Sequence, residues 1–317
     1  MDQQDAGWPG DEDLYCLLRS LGQAVEPSLY RWTDGFRDYR VGGQRILRVS
    51  RSTLSEQAKL NRVQGLPGVP RIHASGLFAA SGEEYYYLIL DYINGDELWD
   101  SARQLTPDQQ SHVGREAAHF LSDLHAIAGD RYDIGHYVPT IGMFEGSWLQ
   151  GHRQYAESLR AALTRLDLEP ATTEAVAAAL AHIQANGDAL EYQVGPRLLH
   201  NDFHPRNIIV QNGRLAGVID WECSQFGEPD FDLAHLVHWA VDPPDPGHPL
   251  RHFVKAVLCD FQAAAKVPDL GIRLTIYQLE HELNQLIWNG KTQEPDRVRR
   301  VNWWLEGAVD VLVGRDT

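Results

Sequence analysis

The sequence predicts an α+β protein, with a small antiparallel sheet in its first third and a mostly helical remainder. Two observations carry this prediction. Short strand-like segments bounded by turn residues fill positions 28–93, and helical apolar periodicity dominates from Pro107 onward. A third observation is one apolar hairpin at 208–218, which interrupts the helices. A chain of 317 residues is long enough for two lobes.

The first third of the chain predicts the sheet. Gly42-Gly43 predicts a turn between two of its strands, and a helix that starts near Ser52 or Thr53 separates the third strand from the fourth. We place the domain boundary near residue 94, which divides the chain into an N-lobe at 1–94 and a C-lobe at 95–317. The predicted strands cover 28–32, 38–41, 44–49, 69–76 and 84–93.

The rest of the chain predicts helices, because apolar residues recur at helical spacing. Val113, Ala117, Phe120 and Leu124 illustrate this pattern in the helix that begins at Pro107. A short helix also precedes the sheet, from about Asp11 to Leu21. The predicted helices of the C-terminal part cover 107–127, 148–166, 172–190, 249–265, 270–289 and 294–313. The segment 226–234 leads into a further predicted helix, which ends near Val241.

The hairpin is predicted by Asn212-Gly213, which separates the apolar runs 208–210 and 215–219. Asn-Gly between apolar runs is a strong hairpin signal, because both turn positions need a positive φ. In a two-residue hairpin, Asn207 lies diagonally across from Asp220 on one face, within roughly 7–8 Å. Asp202 lies in the loop that leads into the hairpin. The spacing therefore predicts one base-like carboxylate beside two hard oxygen ligands, a set that suits Mg²⁺ with substrate phosphates.

These residues carry a family resemblance. His200-x-Asp202-x-x-x-x-Asn207, then the hairpin and Asp220-Trp221-Glu222, resembles the catalytic loop and metal-binding aspartate of the protein-kinase-like fold. The residues of this segment are similar to those of the aminoglycoside phosphotransferase and choline kinase branch of the fold. The resemblance implies a bilobal fold, ATP or alternatively GTP as the phosphate donor, and Mg²⁺ held by Asn207 and Asp220. It also implies Asp202 as the catalytic base and His200 as a brace of the loop.

The nucleotide site implied by the resemblance departs from the family at one position. The third strand of the family carries a phosphate-binding lysine, but Arg48 stands there. Glu56 is implied as its ion-pair partner, although it also fits a capping box at the helix start. Three accounts of this arginine are open. Arg48 binds the phosphates, another cation such as Lys59 takes its place, or the protein is a weak catalyst. Backbone groups of the hinge are expected to hold the adenine edge, at Asp91, Tyr92 and Ile93.

The acceptor is predicted from charge and from the late helices. The formal net charge of −16 disfavours nucleic acid and anionic membranes as partners and suits a cationic small molecule. Late helices of this fold often contribute acceptor contacts, through carboxylates for ammonium groups and through tryptophans for cation–π attraction. The candidate acceptor residues are Glu222, Glu280, Asn284 and Trp304.

The predicted activity is transfer of the γ-phosphoryl group to a hydroxyl of a small molecule, most simply an aminoglycoside-type antibiotic. A choline, ethanolamine, homoserine or sugar-type metabolite is the alternative acceptor. A metal-dependent hydrolase that uses His200, Asp202 and His204 is an alternative from another class. A non-catalytic nucleotide-binding protein is a third hypothesis, suggested by Arg48.

The cysteine content and the hydropathy of the chain indicate where the protein is located. Three scattered cysteines have no metal-like spacing, which favours a reducing environment. The acidic N-terminus lacks the basic and apolar regions of a signal peptide, and no apolar run is long enough to span a membrane. We therefore expect a cytoplasmic protein, either a monomer or a homodimer.

Overall fold

The computed structural model describes residues 8–23, 27–32, 36–52, 55–133, 146–240, 249–289 and 293–313. The chain divides into two compact units. The first consists of Met1–Asp96 and Ala216–Glu222, and the second of Glu97–Leu215 and Cys223–Thr317. A single boundary near residue 94 does not anticipate that a short segment from late in the chain folds with the first unit.

The first unit is built on a five-stranded antiparallel sheet with the strand order β1-β2-β3-β5-β4. A helix precedes the sheet, and another lies between its third and fourth strands. The prediction of a small antiparallel sheet is confirmed. The elements are α1 (Asp11–Ser20), β1 (Pro27–Trp32), β2 (Phe36–Val41), β3 (Arg45–Ser50), α2 (Ser55–Val63), β4 (Ile72–Ala80) and β5 (Glu83–Asp91).

Apolar side chains of one sheet face and of α1 form the core of this unit. Leu47 and Val49 of β3 share one face of the strand and are fully buried. The other face of β3 is buried as well, because Arg48 is only 4% exposed. Leu14 and Leu18 lie one helical turn apart and are also fully buried. Burial of these side chains holds β3 rigidly, and β3 carries Arg48.

The second unit is mostly helical, as predicted. Its helices are α3 (Leu98–Ser101), α4 (Pro107–His125), α5 (Trp148–Leu163), α6 (Pro170–Asn186), α7 (Phe231–Ala240), α8 (Arg251–Ala265), α9 (Leu270–Asn289), α10 (Glu294–Leu305) and α11 (Ala308–Val313). Among the described residues of both units, no helix is long and apolar enough to cross a membrane.

The predicted hairpin is confirmed. Strands β8 (Ile208–Gln211) and β9 (Arg214–Val218) are neighbours in a three-stranded sheet, behind the short β6 (Asp96–Glu97). Asn212 and Gly213 both have positive φ, at 53° and 72°. Two further short strands, β7 (Arg197–Leu199) and β10 (Gln225–Gly227), pair on either side of the hairpin in sequence.

The last predicted helix is corrected. We expected one helix over 294–313, but the structure has two, α10 and α11. Gly307, between them, has a φ of 86°, which a continuing right-handed helix does not allow. The predicted strand at 69–76 begins later, at Ile72, and continues to Ala80. The predicted helix at 172–190 ends at Asn186, and a 3₁₀ turn follows at Gly187–Glu191.

The segment 216–222 joins the first unit through a close approach of two backbones. The N–H of Val218 donates to the carbonyl of Gly68 at 2.9 Å. A Cβ on Gly217 would lie 2.3 Å from that same carbonyl oxygen, so only glycine fits at this crossing. Gly68 itself has a φ of 78°. Two glycines therefore fix the strand that leads to Asp220.

Candidate active site

Asp202 lies in a loop of the second unit whose polar groups are held by hydrogen bonds. The side-chain amide of Asn207 donates to the Asp202 carboxylate at 3.0 Å and to its carbonyl at 2.9 Å. The Asp202 N–H donates to Nδ1 of His200 at 3.3 Å. The Asp202 side chain is 30% exposed, whereas His200 is completely buried. The loop thus presents one carboxylate to solvent on a fixed support.

The loop is anchored from below by Asp232 at the start of α7. One carboxylate oxygen of Asp232 accepts the N–H of Asn201 at 2.7 Å, and the other accepts the N–H of His200 at 3.1 Å. Nε2 of His125, in α4, lies 2.9 Å from the same carboxylate. Asn201 has a φ of 62°, which these bonds stabilise. Asp232 therefore fixes the backbone of the loop immediately before Asp202.

The pKa of Asp202 lies below its ordinary value. Burial acts to raise it, but the hydrogen bond and charge of His204, the charge of His200 and the hydrogen bond from Asn207 outweigh that effect. Nε2 of His204 lies 3.5 Å from the Asp202 carboxylate, and Nδ1 of the same ring lies 3.2 Å from the backbone nitrogen of Arg206. The Asp202 carboxylate is therefore ionised near neutral pH and accepts a proton.

In the first unit, Arg48 lies at the centre of a buried charge cluster. Its Nε and Nη2 donate to the two oxygens of Asp38, at 2.8 and 2.9 Å. Its Nη1 donates to Glu56 at 2.5 Å and lies 3.4 Å from the carboxylate of Asp220. The guanidinium also lies over the ring of Phe36, 3.9 Å from its centroid. Arg48 thus connects a neighbouring strand, a helix and the aspartate segment within one unit.

The charges of the cluster explain the state of Arg48. Burial alone would lower its pKa, but the charges of Glu56 and Asp38 raise that pKa well above the usual value, so the side chain stays cationic. Its donors are directed at carboxylates of the protein. The phosphate-binding role that the resemblance implies for Arg48 stays a prediction, and the structure adds a second role, which is to hold Glu56 and Asp220.

Helix α2 also contacts the segment that follows Asp220. The second oxygen of Glu56 accepts the N–H of Trp221 at 3.2 Å, and the ammonium of Lys59 donates to the carbonyl of Glu222. Asp220 has a φ of 68° and a side chain that is 13% exposed. Asn207 and Asp220 belong to different units, so their joint metal site stays a prediction.

The expected hinge follows β5. The N–H of Asp91 donates to Arg71 and the N–H of Tyr92 donates to Gln44, at 3.1 and 2.9 Å. The carboxylate of Asp91 also pairs with Arg45 at 3.0 Å. The expected role of Asp91, Tyr92 and Ile93 in holding an adenine edge stays a prediction.

Two of the four predicted acceptor residues are corrected. Trp304 is completely buried, and its Nε1 lies 3.4 Å from a carboxylate oxygen of Glu282, so its indole face contacts protein. Glu280 is 2% exposed and lies 2.7 Å from Nδ1 of His152. Glu222 is exposed and Asn284 is half-buried, and for these two the acceptor role stays a prediction.

Sequence reasoning missed Asp38 and Trp239, and it named His204 only as a possible zinc ligand. Asp38 clamps Arg48, His204 lowers the pKa of Asp202, and Trp239 places its ring 5.8 Å from that of His204. The Trp239 side chain is 48% exposed, which is unusual for an indole in a helix as apolar as α7. The signal that identifies Trp239 is its partial exposure beside the loop, and only the three-dimensional structure shows it.

The zinc-hydrolase alternative finds no support in the geometry. The ring nitrogens Nδ1 of His200 and His204 each accept a backbone N–H, so the loop uses them internally. Across the part of the chain that the structure describes, no group of three histidine, cysteine or acidic side chains is placed to hold a metal ion.

Comparison with known proteins agrees with this geometry. A hygromycin-B 4-O-kinase of Escherichia coli is 38% identical over 42 residues, a match that covers 13% of this chain and 12% of that kinase. A thermostable mutant of aminoglycoside phosphotransferase APH(4)-Ia, in ternary complex with AMP-PNP and hygromycin B, is 18% identical. That alignment covers 94% of this chain and 99% of the other, with a TM-score of 0.67.

Two further structures are similar over nearly the whole chain. ADP-bound aminoglycoside phosphotransferase APH(2'')-Ib is 20% identical, with a TM-score of 0.62 over 98% of this chain and 99% of its own. The streptomycin-ATP-APH(2")-IIa ternary complex is 19% identical, with a TM-score of 0.62 over 99% and 100%. These likenesses confirm the bilobal kinase-like fold class. A profile of the phosphotransferase enzyme family APH matches residues 19–267, and this chain therefore belongs to that family.

Proposed function

We propose that this phosphotransferase transfers the γ-phosphoryl group of ATP to a hydroxyl of an aminoglycoside-type antibiotic. The observation that supports it most directly is the geometry of Asp202. Its carboxylate is ionised and 30% exposed, and its loop is held by Asn207, His200 and Asp232. A rigid, ionised carboxylate is what orientation of a nucleophilic hydroxyl requires.

In the proposed reaction, the acceptor hydroxyl hydrogen-bonds to Asp202. The hydroxyl oxygen forms a bond to the γ-phosphorus while the bond from that phosphorus to the bridging oxygen of ADP breaks. The hydroxyl proton passes to the Asp202 carboxylate, and ADP leaves. Because the transition state of phosphoryl transfer is loose, positioning and charge stabilisation provide most of the rate enhancement.

The proposed cofactor is Mg²⁺, and the available donors fit it. The amide nitrogen of Asn207 is used by Asp202, which leaves the amide oxygen as a neutral ligand. Asp220 adds a partly exposed carboxylate. Hard oxygens are the ligands that Mg²⁺ prefers, with phosphates and water completing its shell. When bound, the ion neutralises charge on the phosphates.

The proposed acceptor class rests on three features. The net charge of −16 favours a cationic ligand. The exposed indole of Trp239, beside His204, offers an aromatic face to a sugar ring or a protonated amine. The three solved structures described above are aminoglycoside phosphotransferases, and two of them hold hygromycin B or streptomycin.

The test is a transfer assay with purified protein, ATP and Mg²⁺, in which mass spectrometry detects a phosphoryl group on the acceptor. The panel contains hygromycin B, streptomycin and gentamicin, with choline and homoserine as metabolite controls. We expect transfer to at least one antibiotic. The variant Asp202→Asn is expected to lose roughly 10²- to 10⁴-fold in kcat while it keeps the wild-type unfolding midpoint.

Two results would contradict the proposal. Transfer only to choline or homoserine would replace the acceptor class and leave the chemistry intact. An Asp202→Asn variant that retains the wild-type rate would show that this carboxylate is not the base.

A further inference from the structure

Strand β4 is an edge strand of the five-stranded sheet, because its one neighbour among the described strands is β5. A two-residue turn joins β4 to β5, and its residues Ser81 and Gly82 have φ values of 52° and 83°. In such a hairpin Ala80 and Glu83 form a hydrogen-bonded pair, and these pairs alternate along an antiparallel ladder. Every second residue of β4 therefore directs its backbone N–H and C=O groups away from β5.

The residues with these outward-facing backbone groups are Ser75, Leu77 and Ala79. In the part of the chain that the structure describes, no backbone group outside β5 forms a hydrogen bond with the backbone of these three residues. Leu77 is 52% exposed, and Ala79 is exposed as well. An edge with unpaired and accessible backbone groups can accept a further strand.

The two edges of the sheet differ in the features that protect an edge. Strand β1, at the other edge, contains Pro27 and Arg31, and its register shifts after Leu29. Strand β4 contains no proline and no aspartate, glutamate, lysine or arginine. Its own register shift lies at its start, before Ala74, so 75–80 form a regular ladder. Because prolines, charges and bulges hinder strand addition, β4 is the edge that is open to it.

We propose that a second copy of this chain occupies this edge, with the two β4 strands antiparallel about a twofold axis at Leu77. This register places Leu77 opposite Leu77 of the second copy and Ser75 opposite Ala79. All three outward-facing residues then have partners, and each pair exchanges two hydrogen bonds. The segment suits its own copy because it is uncharged and has small residues at equal distances on both sides of Leu77.

The assembly should close at two copies, because each chain has one open edge and a protected one. A strand pair alone buries less surface than the roughly 1,600 Å² of a standard interface, so we expect a weak dimer. This inference concerns the first unit alone and does not depend on the proposed acceptor.

Analytical ultracentrifugation of the full-length protein, from micromolar to millimolar concentration, measures the dimer. Raised salt is used because it screens the repulsion between two chains that each have a net charge of −16. We expect a monomer–dimer equilibrium without larger species.

Two variants at the edge test the role of β4. Leu77→Lys places two cations directly opposite each other and should abolish the dimer. Ala79→Pro removes an N–H that faces the second copy, not β5, so it should keep the fold and weaken the dimer at least about tenfold. Leu29→Lys makes the same change at a 54% exposed position of β1 and should dimerise like the wild type.

Disulfide formation tests the register, in a protein whose exposed cysteines are removed by Cys16→Ser and Cys259→Ser. With Leu77→Cys, the two Cα atoms at the axis lie about 5.5 Å apart, which a disulfide can bridge. With Ala79→Cys, the two copies of the residue are displaced by roughly 13 Å along the strands, which a disulfide cannot bridge. We expect rapid oxidation to a covalent dimer with Leu77→Cys only.

Four outcomes would overturn the proposal. These are a wild type that stays monomeric at millimolar concentration, growth beyond two copies, an undiminished dimer of a folded Leu77→Lys variant, or equal rates of disulfide formation at the two positions.

Discussion

The carboxylate of Asp232 lies 2.7 Å from the backbone nitrogen of Asn201, a residue whose φ of 62° is uncommon for an amino acid with a Cβ. This bond, together with the one to His200, fixes the backbone immediately before Asp202. The position of the proposed base therefore depends on a residue that touches neither substrate.

The first prediction concerns this positioning role. Asp232→Ala removes a charged acceptor from two buried N–H groups, which costs about 1.5–3 kcal/mol per bond. We expect kcat to fall at least about tenfold, with a smaller change in KM for ATP. Steady-state kinetics and urea denaturation measure the two effects. Asp260→Asn, at an exposed position of α8, is the control and should match the wild type.

The second prediction concerns the pH dependence of kcat/KM. The pKa of Asp202 is lowered, in part by His204, so the acidic limb of kcat/KM should lie below the ordinary pKa of an aspartate. His204→Ala removes the hydrogen bond and charge that lower this pKa. Its acidic limb should therefore move to higher pH. Identical acidic limbs for the two proteins would contradict the role of His204.

The third prediction concerns the buried charge cluster. Arg48→Met leaves Asp38 and Glu56 buried without their cation, which should lower the free energy of unfolding by about 3–5 kcal/mol. Arg48→Lys keeps the charge but cannot bind both oxygens of Asp38 in parallel, so its loss should be smaller, on the order of 1–2 kcal/mol.

A double-mutant cycle measures the coupling within this cluster. Asp38→Asn combined with Arg48→Met should destabilise the protein by less than the sum of the single changes. Additive effects would show that the pair between Arg48 and Asp38 contributes nothing to stability.

The fourth prediction concerns stability at acidic pH. Burial lowers the pKa of His238 to about 3, and the charges of Arg300 and Arg297 act in the same direction. Between about pH 3 and 6.5 the unfolded chain binds a proton at this position that the folded chain does not. His238 therefore makes the free energy of unfolding rise with pH, by up to about 1.4 kcal/mol per pH unit.

His238→Asn retains a donor for Gln278, which lies 3.2 Å from Nδ1, and removes the titrating ring. The slope of unfolding free energy between pH 4.5 and 6.5 should decrease by about one proton. Comparison with the variant is required because burial raises the pKa of the neighbouring Glu282, which acts in the opposite direction. Equal slopes would show that His238 is protonated in the folded protein.

The fifth prediction distinguishes two tryptophans. Trp239→Ala removes an exposed indole beside the loop and should raise KM for the antibiotic acceptor about tenfold, with KM for ATP unchanged. Trp304→Phe removes a buried hydrogen-bond donor and should lower stability by about 1–3 kcal/mol without changing KM for the acceptor. The opposite pattern would restore Trp304 as an acceptor residue.

The turn chemistry of the sequence predicted the hairpin because Asn212-Gly213 leaves few alternatives, and the helical periodicity predicted most helices. The clamp on Arg48 was not predictable in the same way. A two-residue turn at Gly42-Gly43 would place Asp38 opposite Leu47. The observed register places Asp38 opposite Arg48, a shift of one residue that local propensities do not determine.

The burial of individual side chains was also not predictable from the sequence. Helical spacing places Glu280 and Asn284 on one side of α9, but only the packing of the neighbouring helices shows that Glu280 is enclosed with His152. The same holds for Trp304 and Trp239. Both are aromatic residues in apolar helices, and the sequence alone does not show which of them faces solvent.

The close approach of Gly68 and Gly217 has a consequence for how the protein is made. The first unit needs residues 216–222, so Arg48 and Glu56 have all their partners only after the chain has been synthesised beyond Glu222. A fragment that ends near residue 96 would lack residues 216–222 and leave the Gly68 carbonyl without the N–H of Val218. We therefore expect a fragment of residues 1–96 to be less stable than the same residues in the whole chain.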